Sequence, residues 1–216
     1  MKDSPQRTIL PTGLRHRVRP FVKVFPAVSA GLACALFGAV LLAAPARAAN
    51  APPPPRFTLT SQSVRSGDTM PGPDVGARDK CHGGNESPPL TWSHPPAGTK
   101  GYAVSMADLD AKVGVVWLWL MFNIPGSVTS LPQNAAEDAA LRPKAAAQAK
   151  NGFATVGYIG PCPKTGRQPH HYLLTVWAVN QASLPFKDGT PAETVAIFLR
   201  RHALGHASLT PHYRPR

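Results

Sequence analysis

The run 115–124, Val-Val-Trp-Leu-Trp-Leu-Met-Phe-Asn-Ile, is apolar at every position except Asn123. Successive strand residues point to opposite faces, so a strand of this composition buries both of them and needs cover above and below. A buried helical segment would have the same make-up. The β-branched and aromatic side chains favour a strand, and Asn123-Ile124-Pro125-Gly126 stops it sharply. A chain holding such a strand must build layers on both sides of a sheet.

Shorter strand-like runs surround it at 57–60, 90–92, 102–107, 155–158 and 172–180, separated by turn-rich stretches such as 66–87. The Ala-rich stretch 133–150 reads as a loose helix or a surface excursion. Thr190-Pro191-Ala192-Glu193 predicts a helix start with Thr190 as cap, Pro191 in the first turn and Glu193 closing a capping box. Val195, Phe198, Leu199 and Ala203 then form an apolar stripe. The expected class is mainly antiparallel β, with few helices and one near the C-terminus.

Residues 1–48 read as a secretory signal peptide. Arg15, Arg17, Arg19 and Lys23 precede an apolar stretch that closes on Ala46-Arg47-Ala48. An uncleaved anchor is the alternative, because the stretch is long enough to span. Residues 49–56 hold four consecutive prolines, Pro52 to Pro55, and read as an extended linker before a domain at 57–216. The expected location is periplasmic or secreted. Charge supports no nucleic-acid role. Seven of the 23 Lys and Arg and one of the 11 acidic residues lie in the leader, leaving a modest surplus scattered without interleaved aromatics. A mild pull on anionic or membrane surfaces remains. Cys81 and Cys162 are the two cysteines beyond the leader, and an even pair in an oxidising compartment reads as a disulfide. Two buried free thiols are the alternative.

The candidate chemistry gathers in 160–172, Gly-Pro-Cys-Pro-Lys-Thr-Gly-Arg-Gln-Pro-His-His-Tyr. A stiff loop delivers His170 and Tyr172 to one face of a strand start, like the wall of a small anion pocket. Asp108-Leu109-Asp110 ends the preceding strand, and its carboxylates are candidates to accept from the imidazole and the phenol together. The alternative is a solvated acidic turn. His202 and His206 stand four apart on the predicted last helix, but no acidic or cysteine partner is near them in sequence, so no metal site and no cofactor is expected. No nucleophile elbow, zinc-protease motif or Gly-rich phosphate loop occurs.

Gly84-Asn85-Glu86-Ser87-Pro88-Pro89-Leu90-Thr91-Trp92, Pro96-Ala97-Gly98-Thr99-Lys100, Asp108-Leu109-Asp110-Ala111 and the 160–172 loop occur in the order that the phosphatidylethanolamine-binding proteins show. The chain resembles that family, also called Raf kinase inhibitor-like proteins, over nearly all of 57–213, and its Gly-x-Cys-Pro and Pro-His-His-Tyr segments resemble the exported bacterial branch. The resemblance implies two packed antiparallel sheets and a pocket for phosphate or a phospholipid head group. It places Asp108, Asp110, Pro161, His170 and Tyr172 at that pocket. It also implies departures: Leu109 replaces a proline that often carries a cis bond in relatives, Leu118 replaces a pocket histidine, and Lys164 replaces a loop proline. A protonated His170 would add a charge-assisted bond to an anion. The expected function is an exported, non-enzymatic binding protein, with a role as inhibitor or modulator of another protein. The alternatives are a vestigial pocket with a protein-docking surface, and a small hydrolase using Asp108 and His170.

Overall fold

The apolar run is covered on both faces from Leu118 to Phe122, while Val115 lies before the strand and is exposed. The computed structural model describes residues 54–164 and 168–215; the leader and most of the linker lie outside the described residues, and Pro54 to Arg56 are exposed and irregular. In chain order the elements are β1 (Thr58–Thr60), β2 (Leu90–Ser93), β3 (Gly101–Asp108), β4 (Val116–Pro125), β5 (Ser130–Leu131), β6 (Ala147–Gln148), β7 (His170–Val179), α1 (Ala192–His202), β8 (Ala203–Leu209) and β9 (His212–Tyr213). The larger sheet runs β6-β4-β3-β7-β8, with β9 pairing to the start of β7, and the smaller runs β1-β2-β5. The named strand pairings are antiparallel.

Two cores result. Leu59, Leu90, Trp92 and Leu131 of the small sheet pack with Tyr102, Val104, Met106, Trp119, Met121, Leu174 and Val176 of the large one. On the other face Ala103, Leu120, Phe122 and Val179 meet Val195, Ala196 and Leu199 of α1. β4 therefore sits in a three-layer arrangement, and its double-sided hydrophobicity is the price of being sandwiched.

Two bulges interrupt β4. Ile124 and Met121 pair with Tyr102 and Val104, so β4 carries one extra residue there. Asn123 takes a left-handed φ of 59° at that point, and its Oδ1 accepts from Leu184 N at 2.7 Å. An asparagine tolerates this conformation and supplies the acceptor, which explains the one polar residue in the run. The second bulge lies between Trp117 and Trp119, the partners of Ala107 and Met106, and its extra residue is Leu118. Leu118 and Trp119 consequently both face the inter-sheet core, while Trp117 packs toward the helix layer.

Several local expectations are corrected. The capping box does not form: Thr190 Oγ1 donates to Lys187 O, and Glu193 instead accepts from Trp117 Nε1 and pairs with Arg200. A tertiary indole donor outcompeted the helix's own end. The helix ends at His202, so His206 lies on β8 and the two imidazoles do not share a helix face. The 133–150 stretch is neither helix nor a free excursion. It runs as turns into the short strand β6, with Ala135, Ala136 and Ala149 buried. Segment 155–158 forms no strand beyond a single bridge from Val156 to Lys150.

Candidate functional site

Asp108 ends β3, and antiparallel register sets it opposite Tyr172 near the start of β7. His170 lies two residues earlier, on the same β7 face as Tyr172. Its Nδ1 stands 2.8 Å from Asp108 Oδ2 and 3.0 Å from Oδ1. A carboxylate only accepts, so Nδ1 carries a proton and Nε2 is left on the far edge of the ring. The neutral ring offers a lone pair at Nε2, and the protonated ring offers a second N–H to an anion. The pair is recessed but reachable: the His170 side chain is 24% exposed and that of Asp108 10%.

Tyr172 is fully buried, and its hydroxyl has no hydrogen-bond partner among the described residues. Burial first, then the charges of Asp108 and Asp110, push the phenol well above its ordinary range, so it stays a donor. Asp108 serves His170 and not this hydroxyl, which corrects the expectation of one carboxylate accepting from both rings. A buried donor without a partner among the described residues, on the same strand face as His170, is a feature that a bound oxygen would satisfy.

Asp110 does not join this group. It lies past the end of β3, and its Oδ2 accepts from His171 N at 2.7 Å and Nδ1 at 2.8 Å. His170 and His171 alternate across β7, so the two carboxylates diverge to opposite sides. The His171 backbone N–H, then its ring, holds the Asp110 carboxyl below its usual range. Asp108 Oδ1 also accepts from Asp110 N at 2.9 Å, and Leu109 N donates to His171 O at 3.0 Å. The turn between the carboxylates is thus held by its own backbone. No cis peptide bond occurs among the described residues, so the bond before Leu109 is trans.

Pro161 is buried within its loop, where its carbonyl accepts from Gly76 N at 3.0 Å. Gly160 N donates to Asn85 Oδ1 at 2.9 Å. A Cβ on Gly160 would stand 2.4 Å from Gly76 N, so only glycine permits this approach. Cys81 and Cys162 are disulfide-bonded with Cα atoms 5.7 Å apart, closing 81 residues of sequence. The Gly-Gly-Asn segment before the Ser-Pro-Pro run is therefore a brace for the 160–163 loop. Ser87 braces the other side, where its Oγ accepts from Ala136 N at 3.0 Å. Lys164 is exposed, and residues 165–167 lie outside the described residues.

Leu118 is 3% exposed within the inter-sheet core, and its carbonyl accepts from Ile159 N. It supplies no donor. The sequence reading missed Arg78, whose guanidinium lies 3.8 Å from the Phe153 ring centroid and whose charge acts on the Tyr172 phenol. Nothing in the sequence links an arginine in a turn before Cys81 to a tyrosine on β7. The disulfide and the Gly160 contact bring that turn to the corner. Among the described residues no cluster of three His, Cys, Asp or Glu is arranged for a metal ion.

Two stacked antiparallel sheets, a helix on the outer face and an Asp–His pair at one end of the larger sheet define a β-sandwich with a polar corner. Residues 60–214 match the family model described as phosphatidylethanolamine-binding protein, and the chain belongs to that family. YbcL of Escherichia coli K12 is 38% identical over 159 residues, 73% of this chain and 87% of YbcL. The crystal structure of E. coli YbcL, itself described as a member of the mammalian PEBP family, matches 74% of this chain and 99% of its own with a TM-score of 0.71. LppC of Mycobacterium tuberculosis, named as a lipoprotein, is 32% identical over 162 residues, 74% of this chain and 75% of LppC.

Proposed function

We propose that this protein is an exported, non-enzymatic binding protein whose Asp108–His170 corner accepts a small anion, phosphate or a phospholipid head group. The observation that carries the reading is the two-oxygen hold of Asp108 on His170 Nδ1, which orients the ring and leaves Nε2 for a ligand. The Tyr172 hydroxyl, without a hydrogen-bond partner among the described residues, would be a second donor to any ligand oxygen that reaches it. Export is supported by the leader pattern of residues 1–48 and by a relative named as a lipoprotein. A hydrolase is disfavoured because, among the described residues, no activated nucleophile accompanies the Asp–His pair.

A second N–H on the His170 ring would add a charge-assisted bond to the anion. Titrating inorganic phosphate while following the His170 ring by NMR tests this. Saturable shifts are expected. Silence up to tens of millimolar would favour a second reading, a vestigial pocket on a protein that docks a protein partner. The apolar Leu118 and the full burial of Tyr172 are what favour that alternative.

A further inference from the structure

His171 and His212 stand opposite each other in the pairing of β7 with β9. Tyr172 N donates to Pro211 O at 2.9 Å, which makes 171–212 the pair without hydrogen bonds of its own in this ladder. Such pairs bring their side chains closest, because their Cα atoms are about 4.5 Å apart. The two ring centroids lie 6.4 Å apart, with the planes at 54°. The backbone under His212 is also fixed from its other side: His212 N donates to Asp68 O, and Met70 N donates to His212 O. Both residues are thus anchored, while the His171 side chain is 53% exposed and His212 is half-buried.

Each ring has one nitrogen engaged. Nδ1 of His171 donates to Asp110 Oδ2 at 2.8 Å, so the neutral ring carries its lone pair on Nε2. Nε2 of His212 lies 3.2 Å from Thr69 Oγ1, and in the tautomer that donates to this hydroxyl the lone pair is on Nδ1. A carboxylate behind one imidazole and a hydroxyl behind the other is the kind of support that orients metal-ligating histidines. Imidazole nitrogens suit zinc, copper and nickel, whereas calcium and magnesium take oxygen ligands. Metal–nitrogen bonds of about 2.0–2.1 Å in a tetrahedral arrangement call for centroids about 5 Å apart, so the rings must close by about 1 Å through side-chain rotation. His202 and His206 differ, since they stack on Phe198 and Trp177.

We propose that His171 Nε2 and His212 Nδ1 together hold one divalent transition-metal ion of the zinc–copper class, with water completing the coordination and Asp110 as a positioning residue. The site does not depend on the anion corner, because His170 and His171 point to opposite faces of β7. The test is titration of zinc ions into the purified protein in phosphate-free buffer, with the histidine ring nitrogens isotope-labelled and followed by NMR. Saturation at one ion per chain is expected, with the shifts on His171 Nε2 and His212 Nδ1. His171→Gln and His212→Gln should each abolish it. Asp110→Asn should weaken zinc binding about tenfold. In the metal-free Asp110→Asn protein the His171 nitrogens should report a mixture of tautomers, a change that a merely structural role for Asp110 would not produce. No response at either ring, metallation confined to other histidines, one ion per two chains, or undiminished affinity in either glutamine variant would each overturn the site. Unchanged affinity in Asp110→Asn would overturn the positioning role.

Discussion

Asp108 grips His170 with both carboxylate oxygens, at 2.8 and 3.0 Å from Nδ1, across the pairing of β3 with β7. The contact sets the ring's orientation and its tautomer. Asp108→Asn keeps the shape and an acceptor but removes the charge that balances an imidazolium. Phosphate affinity should then fall by about 1.5–3 kcal/mol, the range for a hydrogen bond to a charged group. Isothermal titration at mildly acid pH measures it. An unchanged affinity would remove His170 from the binding account.

Leu118→His restores a donor at a position the bulge in β4 turns toward the core. Phosphate binding should tighten. Folding should weaken by about 1–3 kcal/mol, because a polar ring enters a site that is now apolar. Affinity and thermal midpoint, read on the same sample, separate the two effects. Loss of stability with no gain in affinity would mean that residue 118 does not reach the ligand.

Asp74 makes stability depend on pH. It is fully buried; burial chiefly, offset by the Ser63 hydroxyl and reinforced by Glu86, raises its carboxyl from 3.8 to about 6. The folded state therefore holds this proton more tightly than the unfolded chain. Its stabilising contribution is complete below pH 3.8 and is lost as pH rises through about 6. Roughly 2–3 kcal/mol should disappear across that window. Asp74→Asn should flatten this part of the pH profile and be the more stable protein at neutral pH. Urea unfolding at a series of pH values checks it, and an identical slope in both proteins would contradict it.

The Cys81–Cys162 bridge fastens the 160–163 loop to the turn that carries Arg78. Replacing both cysteines with serine should cost about 2–4 kcal/mol, mainly by freeing the unfolded chain. It should also weaken phosphate binding, because Gly160 and Pro161 lose one of their ties. Urea midpoints and phosphate titrations of the double variant give the two numbers. A full loss of stability with unaltered affinity would make the bridge a staple only.

Much of this molecule was legible in the sequence. The double-sided apolar run favoured a covered strand, and the spacing in His170-His171-Tyr172 placed two rings on one face, because strand periodicity is a local property. What needed the tertiary structure were features created by register and contact. The bulge at Leu118 arises from pairing with Met106 and Ala107, so no alternation count within β4 could locate it. Asp110 reads as the twin of Asp108, yet once past the strand end it pairs with the imidazole on the opposite face. Glu193 has the spacing of a capping residue, and a tryptophan 76 positions away claims it. Strand β8 escaped notice because Ala203, Gly205 and Ala207 pack on β7 without the branched side chains that advertise a strand. Local propensity sets which elements form; which polar atoms meet is decided by the sheet, since only pairing distant segments fixes the distances over which hydrogen bonds and charges act.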